Sequence, residues 1–84
     1  MTTESDGDLP SFDLEIDAKG LKCPLPILRA KKALAQLDSG QVLKVTTTDI
    51  NAIRDFQAFS KQTGNVLAAQ VQSGDQAVHF MVRR

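Results

Sequence analysis

The sequence predicts an α/β two-layer sandwich in which two helices pack on one face of a mixed four-stranded sheet. Four short segments alternate apolar and polar residues, which is typical of half-buried strands. Two longer segments repeat with the period of an amphipathic helix. The order of these segments, β-α-β-α-β-β, and the length of 84 residues together indicate one domain with one modest core.

The first three segments are a strand, a loop and a helix. They are predicted at 12–17, 18–22 and 24–38. The apolar side of the strand comprises Phe12, Leu14 and Ile16. The apolar stripe of the helix comprises Ile27, Ala30, Ala33, Leu34 and Leu37. Gly40 follows shortly after this stripe and is a suitable helix stop.

The second half contains a strand, a helix and a final pair of strands. They are predicted at 42–48, 49–63, 66–72 and 77–83. Asp49 is the predicted cap of the helix and Gly64 its stop. The helix stripe comprises Ala52, Ile53, Phe56, Phe59 and Ser60. The inward residues of the three strands are predicted to be Leu43, Val45 and Thr47, then Leu67, Ala69 and Val71, then Val78, Phe80 and Val82.

The connections predict how the strands pair. Residues 73–76 form a hairpin turn, so the last two strands are antiparallel. A helix joins the first two strands, which favours a parallel pair.

The charge pattern separates a tail from the domain. Residues 1–11 carry three acids and no base, so we predict a disordered tail at 1–11 and the folded domain at 12–84. The formal net charge is zero, which argues against tight nucleic-acid binding. No apolar run approaches the ~20 residues of a membrane span, and the N-terminus has no secretory-signal pattern. These features favour a cytoplasmic protein that does not enter a membrane.

Cys23 is the single cysteine, which excludes an internal disulfide, a CxxC redox pair and a multi-cysteine zinc site. On residue type alone, a buried apolar role is the more common one. The neighbouring prolines change that preference. Pro24 suits the first position of a helix, which places Cys23 at the N-cap, and Pro26 stiffens the same turn. There the helix dipole and the free amides of Leu25 and Ile27 favour the thiolate, the nucleophilic form of cysteine.

Four further side chains are candidates to support the thiol or to contact a partner. Lys22 is adjacent to Cys23 and Lys19 is near it in sequence, so each can add positive potential. Leu25 and Leu28 lie off the apolar stripe of the helix. They form either a docking patch or ordinary exposed leucines.

No other catalytic group is evident beside the thiol. His79 falls on the polar phase of the last strand and is predicted to be solvated. Asp17 and Asp49 end elements near one sheet edge, but we expect a solvent-facing Asp17 and a helix-capping Asp49. There is no glycine-rich phosphate loop, and we expect neither a metal nor another cofactor. A thiol without an acid, a base or a pocket suits a group carrier better than an enzyme with its own small substrate.

Residues 17–34 read Asp-Ala-Lys-Gly-Leu-Lys-Cys-Pro-Leu-Pro-Ile-Leu-Arg-Ala-Lys-Lys-Ala-Leu. This stretch resembles the signature of the TusA-type (SirA-like) sulfur-carrier family, in which a Cys-Pro-x-Pro motif opens the first helix of a β-α-β-α-β-β sandwich. The likeness spans roughly residues 12–83. It implies that Cys23 accepts sulfur as a persulfide, with Pro24 and Pro26 as its scaffold.

The resemblance also implies partners. A cysteine desulfurase or a rhodanese-like protein would donate the sulfur, and a thiol on a downstream acceptor protein would receive it. Members of the family serve tRNA thiolation, molybdenum-cofactor maturation or sulfur oxidation, and the resemblance does not select among these pathways. It implies a sulfurtransferase-type carrier rather than a stand-alone enzyme.

Two positions depart from the family pattern. Many relatives have Asp-Pro where this chain has Asp49-Ile50, and some have a second cysteine where it has Ser60.

Two other functions stay open. A regulatory module that binds protein or RNA by shape would leave Cys23 without a role in sulfur transfer. A redox sensor would form mixed disulfides through Cys23, although the chain has no second cysteine to resolve them.

Overall fold

The computed structural model of the protein describes residues 10–84. The tail predicted at 1–11 therefore lies almost wholly outside the described residues. Within 10–84, no helix is long and apolar enough to cross a membrane.

Four strands and two helices follow one another in the predicted order. They are β1 (Leu14–Ala18), α1 (Leu25–Leu34), β2 (Val42–Thr47), α2 (Ala52–Thr63), β3 (Val66–Ser73) and β4 (Gln76–Val82). The sheet order is β1-β2-β4-β3, with a parallel β1–β2 pair and antiparallel β2–β4 and β3–β4 pairs. Both helices contribute buried residues to one core with the sheet, so the predicted mixed sandwich is confirmed.

The helix stripes predicted from periodicity are confirmed. The buried helical residues are Pro26, Ala30, Ala33 and Leu34 of α1 and Ala52, Phe56 and Phe59 of α2. α1 is shorter than predicted, because it ends at Leu34 and continues as tight turns in which Gln36 and Leu37 donate to carbonyls three residues back. α2 ends at Gly64 as predicted, and the φ of 80° at this residue suits a glycine.

β4 presents to the helices the side opposite to the predicted one. The inward residues of β2 are Leu43, Val45 and Thr47, as predicted, and they pair with Met81, His79 and Ala77. Directly paired residues lie on the same face of a sheet, so Ala77, His79 and Met81 face the helices. Phe80 lies on the outer face and is nevertheless buried. β4 is a central strand with apolar residues on both faces, so alternation alone does not select its inner side.

β3 changes phase along its length. A β-bulge lies between Leu67 and Ala69, and the extra residue shifts the alternation. Leu67 packs against the core as predicted. Ala69 and Val71 lie on the outer face, however, and Gln70 takes the inward position opposite His79.

Phe12 also differs from its predicted place on the core side of the first strand. Leu14 and Ile16 pack against the core as predicted. Phe12 is 44% exposed, and Lys44 Nζ lies 5.0 Å from the centroid of its ring. The alternation read from the sequence therefore starts two residues before the strand itself, which begins at Leu14.

His79 is fully buried, so the prediction of a solvated residue is wrong. Its ring stacks on the Phe56 ring of α2 at a centroid distance of 4.3 Å. The Gln70 side-chain amide donates to Nδ1 at 3.0 Å, so Nε2 carries the proton and donates to Thr47 Oγ1 at 2.9 Å. The same Gln70 amide donates to the Ile53 carbonyl at 3.0 Å. The neutral imidazole thus connects three strands with the start of α2.

Burial lowers the pKa of His79 from its ordinary 6.5 to about 4. Between these values the unfolded chain binds more protons than the folded chain, so stability is lost as the pH falls below 6.5. We predict that the free energy of unfolding in urea is lower by about 2 kcal/mol at about pH 5 than at about pH 7.5.

His79→Gln is the control for this prediction, because His79 is the only histidine of the chain. We expect this variant to be less stable than the wild type at neutral pH but nearly insensitive to pH over the same interval. A wild-type free energy that is equal at the two pH values would contradict a buried neutral ring.

Candidate functional site

The candidate site forms where the chain leaves β1 and β2, at one edge of the sheet. The two strands are parallel, and Ala18 and Thr47 at their ends are register partners, so the corners that follow them are neighbours. Gly20 turns the first corner with a φ of 81°, a value that favours glycine, and its amide donates to Thr48 Oγ1 at 2.9 Å. Cys23 thereby lies beside the corner between β2 and α2.

Asp49 joins the two corners. Its Oδ2 accepts the backbone amide of Cys23 at 2.7 Å, and its Oδ1 accepts the amide of Asn51 at 3.1 Å. Asn51 is the N-cap residue of α2, so the predicted cap at Asp49 is displaced by two residues. The Asp49 carboxylate instead serves both the approach to the helix and the cysteine turn.

The first turn of α1 is shifted by one residue from its predicted place. Pro24 is the N-cap residue and Pro26 is buried in the first turn, so both prolines shape the segment that carries Cys23. The Cys23–Pro24 peptide bond is cis, and the Leu25 amide donates to the Lys22 carbonyl at 2.8 Å across this turn. The Leu25 amide is therefore occupied, and no side chain caps α1. The prediction that Cys23 is the N-cap residue is wrong.

The thiol of Cys23 is exposed, but its surroundings do not favour the thiolate as predicted. The pKa of the Cys23 thiol is raised above its ordinary value of 9.0. Its causes, the largest first, are hydrogen bonding to the Asp55 carboxylate in the first turn of α2, some loss of hydration, and the charges of Asp55 and Asp49. The resting group at neutral pH is therefore the protonated thiol.

The two candidate lysines have different surroundings. Lys19 Nζ lies 3.9 Å from Asp17 Oδ2, and the Lys19 amide donates to Asp17 Oδ1 at 2.9 Å. The charge of Lys19 is thus partly offset by Asp17. Lys22 is exposed next to Cys23 and forms no ion pair within residues 10–84. Of the two, Lys22 is the one available to an anionic group of a partner.

Three exposed apolar side chains lie on the segments that carry or contact Cys23. Leu25 and Leu28 are 47% and 53% exposed, as their position off the stripe of α1 predicts. They line an open groove of about 530 Å³ between α1 and the edge strand β1. Ile50 is 91% exposed and follows Asp49 directly. We call Leu25 and Leu28, which line the same groove, the apolar patch.

The thiol has neither a metal cluster nor a histidine beside it in the part of the chain that the structure describes. No group of three or more His, Cys, Asp or Glu residues between 10 and 84 is arranged to hold a metal ion. His79 lies inside the sandwich with both ring nitrogens bonded, to Gln70 and Thr47, so it is not a base for Cys23. Cys23 itself is a free, exposed thiol that another molecule can reach.

Comparisons with known proteins show the family of this chain. The sulfur carrier protein TusA of Allochromatium vinosum is 51% identical over 76 residues, covering 90% of this chain and 99% of that protein. The family model described as "Sulfurtransferase TusA" matches residues 14–84. The chain belongs to the TusA family. The sulfur carrier protein TusA of Pseudomonas entomophila is 32% identical over 72 residues, covering 86% of this chain and 90% of that protein.

A solved structure shares the fold of this TusA family member. The SirA-like protein of Desulfitobacterium hafniense superposes with a TM-score of 0.74 at 29% identity, covering 83% of this chain and 96% of that one. The resemblance and the sandwich predicted from the sequence are both confirmed. The predicted sulfur carrier is confirmed at the level of the family, since the TusA relatives bear that name.

Sequence reasoning missed Asp55 and Ile50 as members of the site. An acid in the first turn of a helix is ordinary, because it complements the helix dipole, so Asp55 gave no distinct signal. Ile50 departs from the Asp-Pro that the family resemblance leads us to expect, and that departure is the one hint the sequence offers. Ser60, the other departure, is half-buried and donates its hydroxyl to the Gln57 carbonyl at 2.8 Å.

Proposed function

We propose that the protein carries sulfur as a persulfide on Cys23 and transfers it between two partner proteins. In loading, Cys23–SH reacts with a donor R–S–SH to give Cys23–S–SH and R–SH. The Cys23 sulfur attacks the terminal sulfur, the donor S–S bond breaks, and the leaving donor thiolate takes up the proton that Cys23 releases. Delivery to an acceptor thiol is the same exchange in the other direction, so neither step needs an oxidant or a reductant.

The observation that carries this proposal is the exposure of the single thiol on a tethered turn. Asp49 fixes the Cys23 backbone, and Pro24 and Pro26 stiffen the segment that follows. The sulfur is open to solvent, so a cysteine in the active site of another protein can reach it. Membership of the TusA family supports the same chemistry.

The proposed partners are a sulfur donor and a sulfur acceptor. The donor is a cysteine desulfurase or a rhodanese-like protein, and the acceptor is a downstream protein with a reactive thiol. tRNA thiolation, molybdenum-cofactor maturation and sulfur metabolism are the pathways that such a relay serves in this family. The cytoplasm is the proposed location, because thiols stay reduced there.

The apolar patch and Lys22 are proposed to contact these partners. Removal of exposed leucine side chains from water in an interface is favourable by about 25 cal/mol per Å² of buried apolar surface. Leu25 and Leu28 lie on the helix that Cys23 precedes, so a protein that covers them also approaches the sulfur. Lys22 adds one positive charge at the rim of this proposed interface, where a charge affects association rates more than affinity.

Loading by a donor tests the proposed function. We expect the full chain, incubated with a cysteine desulfurase and free cysteine, to gain the mass of one sulfur atom on Cys23. Peptide mass spectrometry locates the addition, and dithiothreitol removes it. Cys23→Ser is the control and gains nothing. Rapid alkylation of Cys23 without any sulfur uptake from a desulfurase or a rhodanese would contradict the carrier and favour the regulatory module.

A rate measurement tests the docking role of the patch. We expect Leu28→Ser to slow loading from the desulfurase several-fold, because the partner loses a contact, while alkylation by iodoacetamide keeps its wild-type rate. The matched control is Val66→Thr, which changes an apolar residue that is 56% exposed on β3. Equal loading rates for Leu28→Ser and the wild type would remove Leu28 from the docking surface.

A further inference from the structure

We propose that the groove between α1 and the free edge of β1 receives an extended segment of a partner protein. This segment adds to the sheet as a further strand, and it is apolar near Cys23 and acidic farther along α1. That the partner is a sulfur donor or acceptor rests on the proposed function. The preference of the groove for such a segment does not.

β1 is an edge strand, so one side of its backbone has no neighbouring strand within residues 10–84. Its pairing with β2 is continuous, whereas the other edge strand, β3, carries the β-bulge between Leu67 and Ala69. Bulges protect an edge by twisting it away from further pairing. Of the two edges, β1 is therefore the one better suited to accept another strand.

The core is incompletely covered on the β1 side of the sandwich. Leu43 and Val45 of β2 are fully buried. Their register partners on β1, Leu14 and Ile16, pack against the same core but are only half-buried. The difference arises because no strand lies beyond β1 in the sheet. An added strand would cover Leu14 and Ile16 as β1 covers the residues of β2.

The wall of the groove changes from apolar to basic along α1. Leu25 and Leu28 lie in the first turn of the helix, directly after Cys23. Arg29 and Lys32 line the groove about one and two turns beyond Leu25. Neither cation forms an ion pair with another residue of 10–84. A segment that fills the groove is therefore complementary when it is apolar at the Cys23 end and carries carboxylates beyond.

The charges at this edge argue against a second copy of the chain as the occupant. Glu15 and Asp17 are exposed on the sheet face opposite to the helices. If β1 paired with β1 of another copy, these acids would lie beside the same acids of that copy, and the two basic α1 helices would be neighbours. Like charges placed opposite each other are destabilising. A partner of different sequence is therefore favoured.

Synthetic peptides test the groove without a sulfur donor. The probe is an acetylated and amidated peptide, Val-Thr-Leu-Thr-Glu-Thr-Glu, used together with its reversed sequence so that both strand directions are sampled. In the matched control peptides, lysine replaces both glutamates. We expect NMR titration of the full chain to show at least about tenfold tighter binding of the better glutamate peptide than of its lysine control, because two ion pairs are replaced by like-charge contacts.

Hydrogen exchange distinguishes an added strand from a peptide that only touches the side chains of α1. We expect amide exchange in β1 to slow when the glutamate peptide is bound, because main-chain hydrogen bonds form along the free edge. Bound peptide without any slowing in β1 would contradict strand addition.

Charge variants of α1 locate the binding site. Arg29→Gln combined with Lys32→Gln should reduce the preference for the glutamate peptide several-fold. Lys31→Gln is the matched control, since Lys31 is an exposed cation of the same helix that does not line the groove. It should leave the preference unchanged.

The proposal is overturned if the glutamate and lysine peptides bind equally, or if Lys31→Gln changes the preference as much as the double variant does. Tighter peptide binding by the full chain with Glu4→Gln, Asp6→Asn and Asp8→Asn would assign the groove to residues 1–9 of this chain instead. Dimerisation that the peptide reverses would assign it to a second copy. An intact peptide preference without sulfur loading by a desulfurase would reject the carrier function alone.

Discussion

The Asp49 carboxylate bridges two backbone amides, and the arrangement of the site depends on that bridge. One amide belongs to Cys23 and the other to Asn51 at the start of α2. A hydrogen bond to a charged group contributes about 1.5–3 kcal/mol when shielded and less when exposed, as here. Because a single side chain makes both bonds, the cysteine turn and the second helix are held as one unit. Asp55 lies in the first turn of that helix, directly after the segment that Asp49 ties to the cysteine turn.

Two features of the sandwich place this bridge. The parallel pairing of β1 with β2 ends both strands at the same edge, so the segments after them meet. Inside the sheet, the neutral ring of His79 is bonded to Thr47 at the end of β2 and to Gln70, which in turn holds the first turn of α2. His79, which is a catalytic candidate by residue type, is thus a buried structural group. Its hydrogen bonds help to hold the end of β2 and the first turn of α2, between which the Asp49 corner lies.

The sequence predicts the fold wherever one face of an element is apolar and the other polar, as in β2 and both helices. It fails where that contrast is missing or interrupted: β4 is apolar on both faces, and the bulge in β3 moves Gln70 inward. Cys23 is found from its neighbouring prolines, because those residues restrict the local backbone. The raised pKa of its thiol is not predictable in this way, since its largest cause, Asp55, lies on the second helix, far from Cys23 in sequence.

These contacts describe an exposed thiol on a tethered turn that is protonated at neutral pH, which suits a carrier that receives sulfur from a docked partner. The most direct test is the intact mass of the protein purified from its own cells without reductant. The account predicts a fraction of the chains heavier by one sulfur atom, located on Cys23, lost on treatment with dithiothreitol and absent from Cys23→Ser. Cys23 found only as a free thiol or as a mixed disulfide with glutathione, in cells growing with ample sulfur, would contradict it.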